Sequence, residues 1–115
     1  MDNEGGQQSE TVVVDIAGKV TIGYDAKMRD TINEARQAGA KNILLNMRGV
    51  TRLDSSGIGE LVAAHASVTN AGGRLLLVGL PAKVATVLQI TNLLGVLELF
   101  DDIDEAIAAL EVESD

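Results

Sequence analysis

The 115-residue sequence contains no cysteine, so it can build neither a disulfide scaffold nor a thiolate metal site. That absence agrees with a reducing cytosol. It has a single proline, Pro81, and only two aromatic residues, Tyr24 and Phe100. Positive charge is also scarce: 9 Lys and Arg stand against 17 Asp and Glu, for a net charge of -8. An acidic surface repels phosphate backbones, and two rings offer little for bases to stack on, which excludes nucleic acid as a partner class. No apolar run is long enough to span a bilayer. The opening "MDNEGGQQSE" also lacks the basic segment and apolar stretch of a secretory signal. A cytoplasmic protein without a membrane span is the expectation.

What is present is the raw material of one folded domain. Hydrophobic residues make up 46% of the chain, enough for a core at a length that leaves no room for a second domain. Residues 1–10 and 112–115 read as polar tails around a domain at 11–111. "TVVVDIAGKVTI" is β-branched and interrupted by Ala17-Gly18-Lys19, which predicts two short strands around a tight turn. Asp25 is placed to cap a helix with Met28, Ile32 and Ala35 inward and Gly39 just past its end.

"KNILLNM" and "RLLLVGL" are continuous apolar runs, the mark of strands covered on both faces. Between them, Ile58, Leu61, Val62 and Val68 form a helical stripe that ends at Asn70-Ala71-Gly72-Gly73. Pro81 suits the first turn of a third helix, with Val84, Val87, Leu88 and Thr91 inward. "GVLELF" reads as a short strand or connector. Asp101 is placed to cap a last helix carrying Ile103, Ala106, Ile107 and Leu110. Strands alternating with helices predict an α/β domain, with a mixed but mostly parallel sheet of four to five strands and about four helices.

The stretch that packing does not explain is "TRLDSSGIGELV", residues 51–62. It follows a buried strand and opens a helix, the end of an open α/β sheet where functional sites collect. Asp54, Ser55 and Ser56 are all good capping residues, yet one helix needs one cap. A small hydroxyl at this junction is within reach of another protein. A phosphate on it would meet the positive end of the helix while adding about two negative charges.

Chemistry carried out by the chain itself is poorly supported. A hydrolase elbow reads G-x-S-x-G, whereas this sequence has D-S-S-G-I-G. The single histidine, His65, follows Ile58 by seven residues and falls on the inward stripe, a packing position and not that of a general base. Neither GxxxxGK[ST] nor GxGxxG occurs, so nucleotide cradles are missing. The acids Asp101, Asp102, Asp104 and Glu105 suit a first helical turn and its dipole. A receiver domain would want an acidic pair after the first strand, and none follows it. No cofactor or metal is expected, and no enzymatic activity.

With these residues in place, the chain resembles the STAS domain, specifically the small single-domain anti-sigma-factor antagonists. The resemblance runs from about residue 10 to 111. It is carried by "NILLNMRGVTRLDSSGIGELV" and continued by "AGGRLLLVGLPAKVATVLQITNLLGVLELFDDIDEAIAAL". It implies phosphorylation of Ser55, the serine directly after the Asp of D-S-S-G, by a partner serine kinase that is also the anti-sigma factor. The unphosphorylated form would bind that kinase and free the sigma factor, and a PP2C-type phosphatase would reset the cycle.

Asp54 would then orient the loop, and Ser56 would cap the helix or touch the partner. Gly57 and Gly59 would let the partner backbone approach. One position departs from the family pattern: where many antagonists have G-x-L-D after the first strand, this chain has Gly18-Lys19-Val20-Thr21. Thr21 therefore replaces a partner-facing Asp. That departure keeps a second role in view, a STAS scaffold or subunit of a stress-sensing assembly or lipid-transport complex.

Overall fold

The computed structural model describes residues 11–90 and 96–113, with the side chains of 112 and 113 excepted. Among the described residues four strands, β1 (Thr11–Val20), β2 (Asn42–Leu53), β3 (Leu75–Val78) and β4 (Glu98–Phe100), alternate with four helices. The helices are α1 (Asp25–Gln37), α2 (Ser55–Asn70), α3 (Ala82–Ile90) and α4 (Ile103–Glu113). The strands pair in the order β1-β2-β3-β4, and every pairing is parallel. Each parallel step is bridged by one helix, the crossover that parallel neighbours require.

The apolar runs become the two central strands. Ile43, Leu44 and Leu45 of β2 are fully buried, and so are Leu76, Leu77 and Val78 of β3. Alternate residues serve opposite faces. Val14, Ile16, Ile43, Leu45, Leu75 and Leu77 share one core with Met28 and Ile32 of α1, Leu61 and Val68 of α2, and Val84 and Leu88 of α3. Leu44, Leu76 and Val78 form a second cluster with Ala106 and Leu110 of α4. Among the described residues, three helices thus cover one face and α4 covers the other. Each buried Leu or Ile contributes roughly 1.5–3 kcal/mol relative to exposure.

The expected hairpin within residues 11–22 does not form. Thr11–Val20 is one strand lying along β2, and Gly18, with φ of 80°, bends it without reversing it. Two register shifts, between Asp15 and Ala17 and between Gly18 and Lys19, absorb the two residues by which β2 exceeds β1. Such bulges let a glycine take the left-handed conformation inside a strand. Among the described residues every strand pair is therefore parallel, because β2 continues through "RGVTRL" to Leu53 and offers β1 a partner along its whole length.

Smaller differences are local. The Thr21 carbonyl accepts from the Tyr24 and Asp25 N–H groups at 2.8 Å each, so Tyr24 stands at the helix cap and Asp25 begins α1. Pro81 lies just before α3, its carbonyl accepting from Val84 and Ala85 N–H. Asp102, not Asp101, caps α4 through the Glu105 N–H at 2.8 Å. Val62 turns outward, since the inward stripe of α2 is carried by Leu61 and Val68. Thr91 lies outside the described residues. Gly39 follows the end of α1 as expected, with φ of 106°.

Candidate functional site

The D-S-S-G segment sits at the junction of β2 and α2, at the carboxyl end of a central strand. Asp54 is the helix cap. Its Oδ1 accepts from the Ser56 N–H at 2.9 Å and the Gly57 N–H at 3.2 Å. These are two of the donors that a helix start leaves without intrahelical partners. Its Oδ2 accepts from the Ile22 N–H at 3.0 Å, in the turn between β1 and α1. One carboxylate therefore ties two loops that are 32 residues apart in sequence.

The Ile22 N–H, acting with those of Gly57 and Ser56 against the opposing effect of desolvation, holds the Asp54 carboxyl below its ordinary value of 3.8. A carboxyl with a lowered value stabilises the fold above its unfolded value, and that contribution disappears as pH falls through the folded value. Asp54→Ala is accordingly expected to lower Tm at pH 7 by roughly 5 °C, as for the loss of a helix cap. The gap should close as pH drops below 3.8. Thermal melts of both proteins between pH 2.5 and 7 measure it; an equal gap at both ends would contradict this role for Asp54.

With Asp54 committed to the cap, Ser55 is spare. It is exposed at the first helical position, and its hydroxyl has no hydrogen-bond partner among the described residues. Ser56 is half-buried, with its N–H taken by Asp54. The two serines are thus unequal: the second is held in the cap, and the first is presented to solvent.

The glycines divide in the same way. Gly57 is buried, and a Cβ placed on it would stand 2.1 Å from the Val20 carbonyl oxygen. The close approach it permits is therefore to β1 of its own chain, which corrects its expected place at a partner's backbone. Gly59 is exposed, and a Cβ there would meet nothing within 4 Å. Gly59 follows Ser55 by four residues and lies on the same outward face.

Thr21 is brought to the same end of the sheet, half-buried, one residue before the Ile22 amide that Asp54 binds. The structure thus gathers Asp54, Ser55, Ser56, Gly59 and Thr21 around one junction and sends Gly57 beneath it. His65 is half-buried on α2, in keeping with a packing role. The residue that sequence reasoning missed is Ile22. It is 77% exposed beside the junction, and its only sequence signal is a large apolar side chain within a turn. Arg29 of α1 also pairs with Glu60 of α2 at 3.2 Å, a partly exposed contact between the two helices.

The STAS domain family model matches residues 6–106. The chain belongs to the STAS domain family. A candidate anti-sigma factor antagonist of Thermotoga neapolitana is 34% identical over 79 residues, covering 69% of this chain and 70% of that protein. Among solved structures, the anti-sigma factor antagonist SpoIIAA in its unphosphorylated form is 25% identical, with a TM-score of 0.74 and 90% of each chain covered. SpoIIAA of Bacillus in its phosphorylated form, also 25% identical, gives a TM-score of 0.67 over 89% of this chain and 92% of that one. The murine Slc26a9 anion transporter shares the fold at 16% identity, with a TM-score of 0.79 over 90% of this chain and 18% of the transporter. Among the described residues of this STAS chain, no helix is long and apolar enough to cross a membrane.

Proposed function

We propose that this STAS chain is an anti-sigma factor antagonist that works by partner switching, with Ser55 as the residue phosphorylated. The observation that carries the reading is the division of labour in D-S-S-G. Asp54 satisfies the helix start and the neighbouring turn, which leaves Ser55 exposed with an unengaged hydroxyl. Its relatives are anti-sigma factor antagonists, and SpoIIAA exists in unphosphorylated and phosphorylated forms.

The unmodified surface binds an anti-sigma factor that is also a serine kinase, because a neutral hydroxyl is desolvated at little cost in a close interface. A phosphate brings about two negative charges beside the Asp54 carboxylate and is costly to bury. The kinase is then released, and a PP2C-type phosphatase restores the binding form. The site of action is the cytoplasm, where the kinase finds its ATP. Incubating the chain with its cognate kinase and ATP, then mapping the phosphate by mass spectrometry, is expected to place one phosphate on Ser55. A phosphate on Ser56 alone, or none on either serine, would overturn the assignment.

A further inference from the structure

Ile22 occupies the turn between β1 and α1 and is 77% exposed, so its side chain buries little within the fold. The Thr21 carbonyl closes the turn by accepting from the Tyr24 N–H, and Gly23 takes the left-handed conformation inside it, with φ of 87°. A turn of this kind suits proline or a small polar residue beside its glycine, and a β-branched apolar side chain adds nothing to it. The backbone is nevertheless held in place, because the Ile22 N–H donates to Asp54 Oδ2 at 3.0 Å. Asp54 directly precedes Ser55.

That hydrogen bond decides what can cover Ile22. A stable interface buries about 800 Å² on each partner, a patch roughly 30 Å across. Any protein that closes over the Ser55 hydroxyl with such a patch also closes over the residue hydrogen-bonded to the neighbouring carboxylate. The surroundings favour burial. Ser55, Gly59 and Val62, at i, i+4 and i+7 along α2, are exposed and uncharged, and Thr21 is neutral. Across its sixteen residues α2 has one Asp, Glu, Lys or Arg, namely Glu60, whereas α1 has six in thirteen. Loss of charge is the compositional mark of an interface centre.

We infer that Ile22 is the apolar anchor by which the anti-sigma kinase holds the unmodified protein, seated in an apolar pocket of the kinase beside the place that receives Ser55. The inference rests on the partner-switching reading and assigns to Ile22 the affinity that Ser55 switches. The turn is already ordered, so burying this side chain costs little conformational freedom. Burial of a large apolar side chain at the centre of an interface is the usual source of a hot spot.

Calorimetric titration of the full chain with its cognate kinase tests the anchor. Ile22→Ala should weaken binding about 20-fold and Ile22→Asp more than about 100-fold. Both variants keep the N–H that Asp54 accepts, so both should melt within a few degrees of the wild type. Ile90→Ala is the control. Ile90 is 76% exposed, but it ends α3, which runs back from the carboxyl end of β3 toward the start of β4, away from Ser55. This variant should bind like the wild type. An unchanged Kd in Ile22→Ala would overturn the anchor, as would an equal loss in Ile90→Ala or a large fall in Tm at position 22. Failure of the anchor leaves the weakened binding of Ser55→Asp intact. Ser55→Asp at wild-type affinity with Ile22→Ala weakened would instead sink the phosphoswitch and leave the anchor standing.

Discussion

Ser55→Asp is expected to weaken binding to the cognate anti-sigma kinase about 100-fold, equivalent to about 2.8 kcal/mol, while leaving Tm within a few degrees of the wild type. The fold tolerates the change because position 55 is exposed and its hydroxyl holds nothing in place. A carboxylate in a first helical turn gains from the helix dipole, and the neighbouring Asp54 carboxylate opposes that gain. Asp54 already holds the Ser56 and Gly57 N–H groups, so a new anion at 55 cannot neutralise itself on them. It stays a solvated charge that a partner must desolvate.

Asp carries about half the charge of a phosphate, so the phosphorylated protein should bind more weakly still. Ser55→Ala gives the opposite outcome: it binds the kinase like the unmodified protein and cannot be switched off. Calorimetry on the three proteins measures both effects. Ser55→Asp binding as tightly as wild type would remove electrostatic exclusion as the switch.

Much of this was legible in the sequence because it is local. The runs "NILLNM" and "RLLLVG" declare buried strands by themselves, and D-S-S-G declares a capped helix start within four residues. What was not legible depends on partners distant in the chain. Whether Gly18 reverses the chain or merely bends it is decided by the length of β2, some thirty residues further on. The Asp54–Ile22 hydrogen bond, which makes the cap also a clasp between loops, spans the same kind of distance. Val62 was misplaced for a geometric reason. It neighbours Leu61 in sequence but lies about 100° round the helix, off the narrow strip that meets the sheet. The glycines of "SGIG" look alike in sequence, and only the position of β1 separates them.

That separation predicts the largest change in stability. Gly57→Ala places a methyl carbon 2.1 Å from the Val20 carbonyl oxygen, 2.7 Å from Leu53 Cδ1 and 2.8 Å from Val20 Cγ1. A leucine methyl can rotate aside, but a backbone oxygen in a paired strand cannot. The first turn of α2 must therefore move off the sheet by more than an ångström. Alanine's better helix propensity offsets up to about 1 kcal/mol of the cost. The net loss is expected to be about 2–4 kcal/mol, or roughly 10 °C in Tm. Gly59→Ala, two residues on, meets nothing within 4 Å and should stabilise the fold by about 0.5–1 kcal/mol. Because Gly59 lies on the outward face with Ser55, the same substitution should weaken kinase binding even as it raises Tm. Urea denaturation of the two variants reads the opposite signs directly. Equal stability of Gly57→Ala and wild type would mean that α2 is free to shift at its start, and Ser55 could not then be held in the fixed position a partner reads.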